Sequence, residues 1–143
     1  MELLLFFLYF WGKKIFLLLL GKAFEKYGPE IEKNQQVLLS LSDLAIEAYL
    51  SESTLKRTIK NINRSSVDDQ FDQINMTKLY IYEACQIVLK KSSDVVNSII
   101  ELKGQNEIFS SITDKLRYSE NPNIFELKTK IAEKIISENR YCF

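Results

Sequence analysis

The fold is decided by residues 74–102, INMTKLYIYEACQIVLKKSSDVVNSIIEL, which carry the most regular spacing of apolar side chains in the chain. After one seven-residue step, the spaced positions follow at alternating steps of four and three residues, at Ile74, Ile81, Cys85, Val88, Ser92, Val95, Ile99 and Leu102. This spacing is typical of a helix that packs along a seam in an antiparallel bundle or against a partner helix. We therefore expect one helix from about residue 67 to residue 103, ended by Gly104, with Cys85 buried as an unreactive thiol.

The segment before this helix carries a second apolar stripe. Between about residues 31 and 63, apolar side chains recur at helical spacing, at Val37, Leu41, Leu44, Ala48, Leu55, Ile59 and Ile62. The end of the segment is basic, with Lys56, Arg57, Lys60 and Arg64. These cations are typical of a helix C-terminus, where positive side chains interact favourably with the helix dipole. The alternative is a basic face for an acidic partner or for lipid headgroups.

The last part of the chain predicts two shorter helices. The first is expected at about residues 107–116, before Asn121-Pro122 forces a turn. The second begins where Asn123 and Glu126 resemble a capping box, and Glu126 is spaced to pair with Lys130 four residues on. Its apolar side comprises Ile124, Leu127, Ile131 and Ile135.

The fold class follows from the whole pattern. The chain has only four glycines and two prolines in 143 residues, and no segment of alternating apolar and polar side chains is bounded by turn residues. Long helices with few turns explain both features. The prediction is an all-α bundle of about four to five helices with short connections and an apolar first helix.

The opening residues 1–24, MELLLFFLYFWGKKIFLLLLGKAF, could be a membrane span, a signal peptide or a core helix. Lys13 and Lys14 interrupt the apolar run where a span would be deepest, and a signal peptide would carry its positive charge before that run. The sequence therefore predicts an apolar helix that lies against protein, reaches Tyr27 and ends at Gly28-Pro29. Such a helix, with no cap before it, suits a chain cut from a larger polypeptide. A bilayer anchor remains the alternative.

The sequence lacks the residues that several kinds of catalytic and binding site require. The chain has no histidine, which removes histidine-based nucleophile pairs and histidine metal sites. Cys85 and Cys142 form no zinc set, and the glycines match no phosphate-binding motif. Nineteen basic and nineteen acidic side chains cancel, which gives no electrostatic reason to expect nucleic acid as a partner. We predict no catalytic, cofactor-binding or metal-ligating residue in this chain.

Four ordered segments resemble a known family. They are GKAFEKYG at 21–28, NQQVLLSLSDLAIEAYLSESTLKR at 34–57, DQINMTKLYIYEA at 72–84 and RYSENPNIFELKTKIAEKIISENRYCF at 117–143. Together they are similar to the C-terminal extension of acyl-CoA dehydrogenases of the very-long-chain type, especially the long bacterial forms. The resemblance covers residues 13–143 as one helical domain and leaves residues 1–12 outside it as an apolar leader.

The resemblance implies an accessory domain of an FAD-dependent oxidoreductase of fatty acid β-oxidation. In that family the flavin, the acyl-CoA and the catalytic glutamate belong to the core that precedes the extension, so no glutamate here inherits that role. The chain alone is expected to be inactive and to bind no FAD. The expected partners are a dehydrogenase core, in the same or a separate chain, and a second copy in a homo-oligomer. The expected location is the bacterial cytoplasm, with peripheral membrane contact as a further expectation. A free-standing helical interaction module and a small membrane-anchored protein are the alternatives.

Overall fold

The computed structural model describes residues 2–62, 64, 67–116 and 122–139, with side chains from residue 10 onward and, in the third helix, from residue 70. Within these ranges the chain forms five α-helices and no strand, which confirms the all-α class. The helices are α1 (Glu2–Tyr27), α2 (Gln35–Ile62), α3 (Val67–Ile99), α4 (Leu102–Leu116) and α5 (Ile124–Glu138), and a short 3-10 helix (Gly28–Lys33) joins α1 to α2.

The first helix packs inside the bundle. Its inward positions follow one another at steps of three and four residues, at Gly12, Ile15, Leu19 and Ala23, and all four are buried. They contact α2, α3 and α4. The predicted end of the helix is confirmed, because Gly28 adopts a φ of +52°, which glycine tolerates, and Pro29 opens the following 3-10 turn. From residue 10 onward, one side of the apolar helix is therefore covered by its own chain.

The α2 stripe is confirmed over most of its length. Five of its seven predicted positions are buried, at Val37, Leu41, Leu44, Ala48 and Leu55. Ile59 was expected inside but is 46% exposed, and Ile62 is half-buried. Thr58 takes the inward position of that turn because it bonds to Thr77 of α3. A polar pair thus replaces the apolar contact that the pattern predicted.

The α3 seam is confirmed from its centre to its end. Ile81, Cys85, Val88, Ser92, Val95 and Ile99 are buried, and Ile74 is half-buried. The expected end at Gly104 is wrong, since α3 stops at Ile99 and Gly104 lies inside α4. The Gln105 side chain donates from Nε2 to the carbonyl oxygen of Ile100 (2.9 Å), and thereby satisfies a backbone acceptor at the break. Leu102, expected on the seam, is consequently 82% exposed in the first turn of α4.

The last two helices differ in how deeply they are buried. α4 begins at Leu102 rather than near residue 107, and it buries Ile112 and Leu116. α5 begins as predicted, with the Glu126 amide donating to the Asn123 side chain (3.2 Å) and Lys130 paired with Glu126 (2.6 Å). The apolar side of α5 is only half-buried, at Ile124, Leu127 and Ile131, while Ile135 is exposed. Four helices therefore form the body of the bundle, and α5 lies against its outside.

Candidate interaction surface

Exposed apolar side chains recur along both α1 and α2, from residue 10 onward. In α1 the side chains of Phe10, Leu17 and Phe24 recur every seven residues and are exposed, Leu17 by 61%. In α2, exposed apolar side chains include Leu39, Ile46, Tyr49 and Leu50. We call these seven side chains the hairpin face, since α1 and α2 form a helical hairpin. Exposed apolar side chains gathered on two adjacent helices mark an interaction site, whereas single ones are ordinary.

A carboxylate at the edge of this face ties the two helices together. The Lys13 Nζ lies 2.7 Å from Oε2 of Glu52, and Lys56 pairs with the other oxygen of the same carboxylate. Hydrogen bonds from Lys13 and then from Lys56 lower the pKa of Glu52 from 4.5 to about 2. Lys13 thus has a partner in α2, which explains why a cation interrupts the apolar run of α1.

The second lysine of that run lies over aromatic rings. The Lys14 Nζ is 3.7 Å from the centre of the Phe10 ring and 5.1 Å from the Trp11 ring, and Lys115 of α4 reaches Trp11 at 5.0 Å. The two rings meet edge to face, with centroids 5.4 Å apart. Such cation–π contacts stabilise an ammonium group at a protein surface. Lys14 therefore marks one end of the hairpin face.

A cleft of about 250 Å³ opens between α2 and α3. In its wall the Thr58 and Thr77 hydroxyls lie 2.6 Å apart, and Thr77 donates to the Gln73 carbonyl (2.9 Å), so Thr58 is the donor to Thr77. Tyr80 donates to Oε2 of Glu47 (3.1 Å), and burial together with that carboxylate raises the pKa of Tyr80 to about 12. Through these contacts Tyr80 takes part in the packing of α3 against α2.

The basic end of α2 lies beside this cleft. Arg57 lines the cleft, Lys60 and Arg64 are exposed, and Lys56 is paired with Glu52. In the structure these four cations do not share one acidic partner. Both interpretations of the cluster, dipole stabilisation and a basic face, therefore stay predictions.

The thiol of Cys85 is buried in the bundle. Cys85 is 5% exposed, and desolvation raises the pKa of its thiol to about 12, so the thiol is protonated at neutral pH. The predicted burial is confirmed, while Cys142 lies outside the described residues. In the part of the chain that the structure describes, no three His, Cys, Asp or Glu side chains gather to hold a metal ion. Over the same residues, none of the helices combines the length and hydropathy that a membrane crossing needs.

The comparisons with known proteins agree with one another. Residues 12–114 match the family model described as "Acyl-CoA dehydrogenase, C-terminal domain". A Bacillus subtilis (strain 168) protein named "Probable acyl-CoA dehydrogenase" is 24% identical over 130 residues, which cover 91% of this chain and 22% of that protein. The crystal structure of an acyl-CoA dehydrogenase complexed with FAD from Bacillus anthracis superposes with a TM-score of 0.90 at 25% identity, and the match covers 97% of this chain and 24% of that one. The chain thus spans less than a quarter of the length of either relative.

Proposed function

Because the chain belongs to the acyl-CoA dehydrogenase family through its C-terminal domain, we propose that it serves as the accessory helical domain of an FAD-dependent acyl-CoA dehydrogenase. The observation that carries this proposal is the match of residues 12–114 to the family's C-terminal-domain model. In this role the chain supplies packing surface and a contribution to dimerisation, and the chemistry of fatty acid β-oxidation takes place in a catalytic core. As a domain boundary we propose residues 13–143, with residues 1–12 as an apolar leader.

The hairpin face is the surface that we assign to the catalytic core. Both relatives carry more than three quarters of their length outside the part that matches this chain. A domain held against so much further protein needs an apolar surface that its own helices leave uncovered. Leu17 and Phe24 of α1 and Tyr49 of α2 provide such a surface. The Lys13–Glu52 pair at its edge keeps the two helices in one relative position.

Two clefts among the described residues are too small for FAD. The cleft between α2 and α3 has a volume of about 250 Å³, and a second cleft beside Val37 and Val95 about 220 Å³. Pockets that bury a ligand of drug size have volumes of roughly 300–1,000 Å³, and a dinucleotide is larger still. We therefore assign the flavin and the acyl-CoA to the core, and no step of the reaction to this chain. We further propose the bacterial cytoplasm as its location.

The proposal is tested by domain exchange. The matched C-terminal part of the Bacillus subtilis relative is replaced by this 143-residue chain, and flavin absorbance and acyl-CoA-dependent dye reduction are measured on the purified chimera. We expect both to be retained. A second chimera carries Leu17→Asp and Phe24→Asp in the hairpin face, and its control carries Phe125→Asp on α5. Loss of flavin and activity in the hairpin-face chimera alone supports the proposal. Equal function in all three proteins, or loss already in the unmutated chimera, contradicts it.

A further inference from the structure

The fifth helix is attached to the rest of the molecule in a different way from the other four. Within the described residues α5 contacts α3 and no other helix, and none of its side chains is buried. By contrast, α1 and α4 contribute buried side chains to the common core, among them Leu19 and Ile112. The free energy that holds α5 in place must therefore come from half-buried apolar contacts and from surface charges.

Among the side chains that the structure describes, two ion pairs join α5 to α3. The Lys128 Nζ lies 2.7 Å from Glu83, and the Lys134 Nζ lies 3.6 Å from Asp72. Asp72 and Glu83 are eleven residues apart on α3, about three helical turns, and Lys128 and Lys134 each lie about one turn inside an end of α5. Ile131 lies between the two lysines along α5, Leu127 directly precedes Lys128, and both apolar side chains are half-buried.

Such an attachment is weak in comparison with the core. Exposed ion pairs contribute little to stability and are screened by salt. Elements with few buried apolar contacts open locally, at a free energy well below that of global unfolding. Both ends of α5 are capped by adjacent residues. Asn123 is the N-cap, and Asn139 at the C-cap adopts the left-handed conformation (φ 48°). Its outward side is apolar as well, since Phe125 and Ile136 are 85% and 77% exposed.

We propose that α5 is a detachable helix, held on α3 by the Lys128–Glu83 and Lys134–Asp72 pairs, which opens as a unit while α1–α4 stay folded. Opening uncovers the side of α3 between Asp72 and Glu83 and frees both apolar sides of α5. Ionic strength sets the fraction of molecules that are open. This inference is independent of the proposed function, since it concerns only contacts within the chain.

Hydrogen exchange of the full chain tests the proposal. An isolated helix of 15 residues is marginal in water, so detachment appears as exchange of the α5 amides. We expect α5 to exchange at least about a hundredfold faster than the α3 segment 85–99, and a rise from low to high salt to speed α5 by roughly two- to tenfold. Exchange of α5 and the α3 segment at one common rate would overturn the proposal. So would fast exchange of α5 that salt does not alter.

Charge reversal distinguishes the contribution of the ion pairs to the attachment of α5 from the intrinsic stability of the helix. Lys128→Glu is expected to speed exchange of α5 several-fold, and adding Glu83→Lys is expected to slow it again by restoring an opposite pair. The matched control, Lys22→Glu, makes the same change of charge at a paired lysine of α1, a helix that does not contact α5 within the described residues, and should leave α5 unaffected. Equal effects of Lys128→Glu and Lys22→Glu would overturn the proposal, as would a failure of Glu83→Lys to restore protection.

Discussion

Gly12 of α1 lies directly against Ala48 of α2, so that a Cβ on Gly12 would be 3.4 Å from the Ala48 Cβ. The two small residues allow the helix backbones to approach closely in the middle of the hairpin. An alanine just fits at this distance, whereas a larger side chain would push the helices apart.

We therefore expect Gly12→Leu to lower the free energy of unfolding by about 1–3 kcal/mol through overpacking. Gly12→Ala should be neutral or stabilise by up to about 1 kcal/mol, because glycine weakens a helix interior. Urea unfolding followed by circular dichroism measures both changes. Gly21→Leu is the matched control, since no atom lies within 4 Å of a Cβ at that position. A loss at Gly21 as large as that at Gly12 would contradict the close packing of the hairpin.

We expect the ionisation of Glu52 to make the free energy of unfolding depend on pH in the acidic range. Its pKa is lowered to about 2 in the folded chain, so its contribution is complete above the unfolded pKa near 4.5 and is lost as the pH falls toward 2. In Glu52→Gln the fall in stability between these two pH values should be shallower. Urea unfolding across this pH range measures the slope, with Glu107→Gln, an exposed carboxylate of α4, as the control. The same slope in Glu52→Gln and in the unmutated protein would contradict the Lys13–Glu52–Lys56 arrangement.

Cys85 should behave as a core residue. Because the thiol is buried and its pKa is raised to about 12, we expect a thiol reagent to label it slowly in the native chain and rapidly in denaturant. Cys85→Asp should destabilise the bundle by an amount on the order of several kcal/mol, since it places an unpaired charge in apolar surroundings. Labelling of native Cys85 at the rate of an exposed thiol would show the burial to be wrong.

The sequence predicts most of the helices and their buried sides, because these features depend on the spacing of neighbouring residues. The α3 seam from Ile81 to Ile99 and the Asn123 cap depend on neighbours within one or two turns, and both are confirmed. The sequence did not predict the end of α3, because it depends on the Gln105 side chain. It did not predict that Thr58 faces inward, because that depends on Thr77 of another helix. The partner of Lys13 was invisible for the same reason, since Glu52 approaches it only through the antiparallel pairing of α1 and α2.

The hairpin face could be predicted only in part. The apolar composition of α1 indicated a helix that lies against protein, but a helix that is apolar all round does not reveal which side its own chain covers. The structure resolves this point, with Leu19 fully buried and Leu17 61% exposed.

The isolated chain should self-associate through the hairpin face, because exposed apolar patches of this kind are rarely tolerated by a monomer. Sedimentation at increasing concentration should show this association, and Leu17→Asp combined with Ile46→Asp should reduce it. Phe125→Asp on α5 serves as the matched control. An isolated chain that stays monomeric at high concentration would contradict this expectation.

The central claim is that the hairpin face lies against a catalytic core, and hydroxyl-radical footprinting tests it most directly. The reactivities of Phe24, Tyr49 and Phe125 are compared between the chain alone, at a concentration where it is monomeric, and the chimera with the Bacillus subtilis relative. All three side chains are exposed in this structure. We predict that Phe24 and Tyr49 become protected in the chimera while Phe125 keeps its reactivity. Phe24 and Tyr49 that stay as reactive in the chimera as in the chain alone would contradict the claim.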